Sequence, residues 1–133
     1  MAVTKFEEKN QYHIEVYLEK NRFDLSFIGS MKKPEDIPHY IEHIGKAIEM
    51  LKPGFLIFAE ITETSTPPGF PITKLLKQSQ AMMKDGGNAK TAVLVSSKLI
   101  LQRLTLNVVS KLSGLDIKIF TKRDEAEAWL QQK

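Results

Sequence analysis

His39 and His43 stand four residues apart with Glu35 one turn before them, a spacing that would set three metal-ligating side chains on one side of a helix. The position right after the first histidine, where zinc proteases of the H-E-x-x-H kind carry their glutamate, is Tyr40, so the pair reads as exposed helix surface and no metal is expected. Glu60 and Glu63 are the nearest thing to paired carboxylates. One closes a strand and the other follows it, roughly 10 Å along an extended chain, which defines no acid and base geometry. "STPPGFPITK" (65–74) lacks the spacing of a phosphate-binding loop. The chain has no cysteine, which excludes thiolate nucleophiles, disulfides and Cys-ligated zinc. No nucleophile, base and orienting group can be assembled, so neither an enzyme nor a cofactor is expected.

Binding chemistry is better represented. "ITETSTPPGFPI" (61–72) follows an apolar strand with Thr62, Thr64, Ser65 and Thr66, then three prolines around Phe70. Those hydroxyls could meet a ligand, a partner or an anionic head group beside the backbone N–H groups that open the next helix. They could equally form turns and caps ahead of Pro71, with Phe70 packed as a helix staple. Leu99 and Leu106 fall on the side of a helix opposite its core stripe of Leu101, Leu104, Val108 and Leu112. They are candidates for an apolar-ligand groove, a homodimer contact or a membrane contact, with Lys98 and Arg103 close enough for anionic head groups. Lys74 and Lys77 would extend that basic surface; each of these also reads as ordinary solvated surface.

Charge supports an anionic partner over a neutral one. Residues 1–66 hold 8 Lys/Arg against 11 Asp/Glu, whereas residues 67–133 hold 11 against 5. Nucleic acid is the poorer choice, because the basic residues lack interleaved aromatics and no helix-turn-helix or RNA-binding run is present. The start "MAVTKFEEKNQY" has no run long enough for a signal peptide, and no stretch approaches the roughly 18 apolar residues of a membrane span. A cytoplasmic protein, peripheral at the membrane if its basic half meets lipid, is the expectation.

The elements that must position these residues follow from periodicity. The 133 residues suit one domain, and residues 1–11 read as a polar lead-in. "YHIEVYLE" (12–19) and "RFDLSFIG" (22–29) alternate as a hairpin turned at Lys20–Asn21. Ile37, Ile41, Ile44, Ile48 and Leu51 follow at helical spacing, with Asp36 as N-cap and "KPG" (52–54) as the stop. "FLIFAEI" (55–61) and "AKTAVLVS" (89–96) are apolar on nearly both faces, as in central parallel strands. Helices over 71–84 and 97–114, an edge strand over 115–120 and a terminal helix capped by Thr121 with Asp124 complete the order. The result is an α/β fold, a strand hairpin followed by three αβ units and a terminal helix: a five-stranded mixed sheet with right-handed crossovers stacked mostly on one face.

That order resembles the STAS domain of anti-sigma-factor antagonists, and its SpoIIAA-like and lipid-carrier-like relatives most of all. "GLDIKIFTKRDEAEAWLQ" (114–131) is similar to the family's closing strand and final helix, and "PGFLIFAEITET" (53–64) to the central strand before its functional loop. The resemblance implies a SpoIIAA-like fold and regulation by association, or carriage of a small apolar molecule, without catalysis. In phosphorylatable members a serine opens the next helix within an Asp-Ser-Ser-Gly-like run. With Gly69 as the glycine, Pro68 takes the phosphoserine position and Thr66 the aspartate's, so a phosphorylation-switched antagonist would need Ser65 or a neighbour as phosphosite. A small enzyme on the same fold is the third alternative.

Overall fold

A computed structural model describes residues 3–8, 11–28, 35, 37–60, 70–95 and 116–132. Its six strands are β1 (Val3–Glu8), β2 (Tyr12–Tyr17), β3 (Arg22–Phe27), β4 (Leu56–Glu60), β5 (Lys90–Leu94) and β6 (Ile117–Phe120). Among the described residues there are three helices: α1 (Tyr40–Glu49), α2 (Phe70–Asp85) and α3 (Arg123–Gln131). The strands lie side by side in chain order, antiparallel from β1 to β3 and parallel from β3 to β6.

The expected mixed sheet is present with one strand more than the sequence predicts. Residues 3–8 are no lead-in: they form β1, paired from Val3 opposite Tyr17 to Glu8 opposite Tyr12. Phe6 is the single large apolar side chain that β1 turns toward the core, where it stacks on His43. One such residue in a charged run leaves no period to read.

The hairpin turn is longer than predicted. A short 3-10 turn over Leu18–Lys20 leads to Asn21, whose φ of 49° is one of the few left-handed positions that asparagine tolerates. Its side chain accepts from the Lys52 N–H at 2.9 Å and donates to the Lys52 carbonyl at 3.1 Å, which docks the hairpin against the segment after α1.

The helix termini also differ from the expected caps. His39, not Asp36, precedes the first turn of α1, and its N–H donates at 3.0 Å to the Glu8 carboxylate on β1. A carboxylate from a neighbouring strand thus does the work of a local cap. At α3, Lys122 takes the N-cap position in place of Thr121, and Asp124 accepts from the next N–H at 3.0 Å. Asp124 and Glu125 place negative charge in the first turn, where the helix dipole favours it. The predicted helix over 97–114, with its stripe of Leu101, Leu104, Val108 and Leu112, lies outside the described residues.

Crossovers of one hand that advance in one direction across a sheet must stack on one face. Accordingly α1 and α2 share a face, covering Ile14, Val16, Phe23, Leu25, Ile57 and Val93 with Tyr40, Ile44, Ala47 and Met83. Among the described residues the opposite face is covered by α3, where Ala126 and Leu130 close over Phe58, Ala92, Leu94 and Phe120. β4 and β5 are therefore buried from both sides, as their continuous apolar sequence requires.

The junction from α2 to β5 is tightly built. Gly87 adopts φ +91°, and a Cβ there would lie 2.9 Å from Pro53 Cβ and 3.0 Å from Pro53 Cα. Asn88 then donates to the Phe55 and Lys90 carbonyls at 2.9 and 3.0 Å. Gly87→Ala is expected to lower stability by about 1–3 kcal/mol through backbone strain and the Pro53 clash. Urea unfolding would measure it, and an unchanged midpoint would contradict this account of the junction.

Candidate functional site

In open α/β sheets, ligands seat beyond the carboxyl ends of the parallel strands. Here Ser26, Glu60, Leu94 and Phe120 stand in register across that end of β3 to β6. One residue further along, Phe27 faces Tyr12 and Tyr12 faces Glu8, which carries the same edge onto the antiparallel strands. The chain leaves β3, β4 and β5 at this one edge, and the hydroxyl-rich residues 61–69 start from its middle, at Glu60.

On the face of α1 and α2, the edge holds a linked set of polar and aromatic groups. His39 Nδ1 lies 2.6 Å from Glu8 Oε1, and His43 Nδ1 lies 2.7 Å from the Tyr12 hydroxyl. Tyr12 meets Tyr40 edge to face at 5.4 Å, and the Tyr40 hydroxyl reaches Ser79 at 3.2 Å in the interior. Burial raises both phenols, Tyr40 to about 12 and Tyr12 further, so neither ionises near neutrality. Burial also holds the His43 imidazole below its ordinary value, against the weaker pull of Glu8 and Glu42.

The two histidines that share the helix spacing each have one ring nitrogen committed to a protein partner. Among the described residues no group of three or more His, Asp or Glu could hold a metal ion. Glu8 was not legible as a partner because β1 was not, and the contact of Tyr12 on β2 with His43 on α1 joins two predicted elements through packing that no local pattern shows.

The other face carries a second charged set. Arg22 forms hydrogen bonds to both Asp24 oxygens, at 2.6 and 3.2 Å, and to both Glu127 oxygens, at 3.0 and 2.6 Å. Burial disfavours its charge, and the bonds to Glu127 and Asp24 outweigh that and raise its pKa. The carboxylates diverge. Burial pushes Asp24 up despite its guanidinium partner, while the hydrogen bond from Arg22 holds the more exposed Glu127 below the usual range. Arg22 and Arg123 both lie over the Phe58 ring, at 5.2 and 4.7 Å, and Arg123 reaches Glu60 at 3.3 Å. Arg22 and Glu127 are 105 residues apart in the chain. No local pattern announces such a pair.

Of the residues singled out in the sequence, Lys74 and Lys77 lie exposed on α2. Phe70 opens α2, but its side chain lies outside the described residues, as do Thr62, Thr64, Ser65, Thr66, Pro68, Gly69, Lys98, Leu99, Arg103 and Leu106.

A mixed sheet in simple chain order, with two crossover helices on one face and a terminal helix on the other, is a SpoIIAA-like fold. Among solved structures the chain is similar to an uncharacterized protein of the DUF3478 family with a SpoIIAA-like fold from Shewanella loihica PV-4. The TM-score is 0.63 at 15% identity, over 97% of this chain and 92% of that one. By sequence, no protein-family model and no curated protein matches the chain.

His43 yields a test of the polar set. The unfolded chain takes up the imidazole proton more readily than the native one, so stability present above the ordinary value of 6.5 falls as pH drops below it. Urea midpoints measured from pH 7.5 down to 5 should therefore fall more for the wild type than for His43→Gln. Parallel curves would show that His43 is not held neutral in the fold.

Proposed function

We propose that the chain is a non-catalytic SpoIIAA-like recognition module that takes an apolar or lipidic ligand at the carboxyl edge of its sheet and presents it at an anionic surface. The observation that carries this reading is the convergence of β3, β4 and β5 on one edge, with the 61–69 segment starting between Ser26 and Leu94. The titratable groups described there are turned toward one another: Glu8 to His39, Tyr12 to His43, Glu60 to Arg123. Such pairing suits a scaffold better than an acid/base centre. α2 departs from the same edge with Phe70 at its start and Lys74 one turn on, which sets cationic charge beside the ligand region. No described helix is long and apolar enough to cross a membrane, so contact with lipid would be made at the surface.

Two measurements test this. Native mass spectrometry of the purified protein should find a co-purifying apolar mass that Phe70→Asp removes; consistently bare protein would oppose carriage and leave a protein partner as the better occupant. In flotation with anionic phospholipid vesicles, Lys74→Gln/Lys77→Gln should weaken binding about thirtyfold, at about 1 kcal/mol per lysine near the surface. Unchanged flotation would remove the anionic surface from the reading.

A further inference from the structure

β1 ends the sheet, so every second N–H and C=O along it points away from β2. Among the described residues no strand pairs with that outer side. Val3, Lys5 and Glu7 alternate with Thr4, Phe6 and Glu8, and the register with β2 puts Phe6 on the core face beside Ile14. Lys5 and Glu7 therefore share the face that α1 and α2 leave uncovered. Their side chains are 53% and 55% exposed and lie 3.5 Å apart within the strand.

We propose that this chain forms a two-fold symmetric dimer by antiparallel pairing of β1 with β1 of a second copy, centred on Phe6. That register sets Lys5 directly opposite Glu7 of the second copy, and symmetry repeats the pair on the other side of the axis. Thr4 then faces Glu8, and the two Phe6 side chains meet on the core face. The neighbouring registers do not share this property. Centring on Lys5 or on Glu7 opposes like charges, and a slip of one residue sets Phe6 against Lys5. In-register parallel pairing stacks Lys5 on Lys5 and Glu7 on Glu7.

An exposed lysine on an edge strand ordinarily repels foreign strands. Glu7, two residues on, turns that repulsion into attraction for an antiparallel partner that carries the same pair of charges, as a second copy does. The edge is thereby closed to strands in general and open to its own copy. β6, the opposite edge, is four residues long and has Lys118 without a carboxylate in the strand. It lacks the self-complementary pattern.

Sedimentation velocity over a concentration series tests the dimer. The wild-type chain should dimerise, and Lys5→Glu or Glu7→Lys alone should weaken self-association by about a hundredfold, because each places like charges opposite on both sides of the axis. Lys5→Glu/Glu7→Lys should restore it. Mixing the two single variants should give a heterodimer, because one then offers only carboxylates and the other only ammonium groups. Circular dichroism of each single variant should match the wild type, since both side chains face water. A wild-type chain that stays monomeric at high micromolar concentration, a dimer indifferent to the single changes, or a mixture that fails to associate would each overturn the proposal.

Discussion

β4 must be hidden from water on both sides, and the rest of the architecture answers to that demand. Ile57 and Ala59 point to one face and Phe58 to the other, all buried, so a layer is needed above and below. Burying one side chain of this size is worth about 1.5–3 kcal/mol, more than any exposed ion pair in the molecule can return. One layer comes from α1 and α2, which parallel crossovers of one hand must place together. The other comes, among the described residues, from α3, which follows the sheet. The parallel arrangement which satisfies β4 also gathers the carboxyl ends of four strands, so the candidate site is a by-product of hiding the central strand.

Arg22 shows how the second layer is fixed in place. Its guanidinium is almost wholly buried between Asp24, Glu127 and the Phe58 ring. Such a cluster gains little net stability over a well-packed apolar replacement, because three charges give up most of their hydration. Its effect is on orientation. A guanidinium that bonds both oxygens of two carboxylates accepts α3 in one rotation, with Ala126 and Leu130 inward. The opposed displacement of the Asp24 and Glu127 pKa values reflects that geometry: the carboxylate under the layer bears the burial, and the one at its rim takes the benefit.

Much of this fold could be read from residue pattern, and the failures have physical causes. Strands β2 to β6 and the helices announce themselves through period, because each has at least three apolar residues facing the core. β1 buries one, Phe6, and so resembles a solvated tail. The helix starts differ from the predicted caps because the Glu8 carboxylate reaches α1 from β1, and α3 begins after Lys122 without a side-chain cap. The SpoIIAA-like order was legible from element sequence alone, as the solved neighbour agrees at 15% identity. The site was legible only by position. The segment 61–69 follows Glu60 at that edge, whereas the pairing of Glu8 with His39 depends on a strand the sequence conceals and that of Tyr12 with His43 on how β2 and α1 pack.

Lys90 bears on the order in which the molecule can be made. Its ammonium donates to the Trp129 and Gln132 carbonyls at 3.0 and 2.6 Å, holding the end of α3 from beneath, and lies 5.2 Å from the Trp129 ring centre. All three contacts join β5 to residues that leave the ribosome some forty positions later, as do those of Arg22 after a longer wait. During that interval a nascent chain carries Phe58 and Leu94 without their cover and a cationic side chain without its anchor. α3, synthesised after every described strand, is also the latch that closes on Arg22 of β3, so a chain interrupted before residue 123 would expose an apolar sheet face to whatever chaperone or aggregate reached it first.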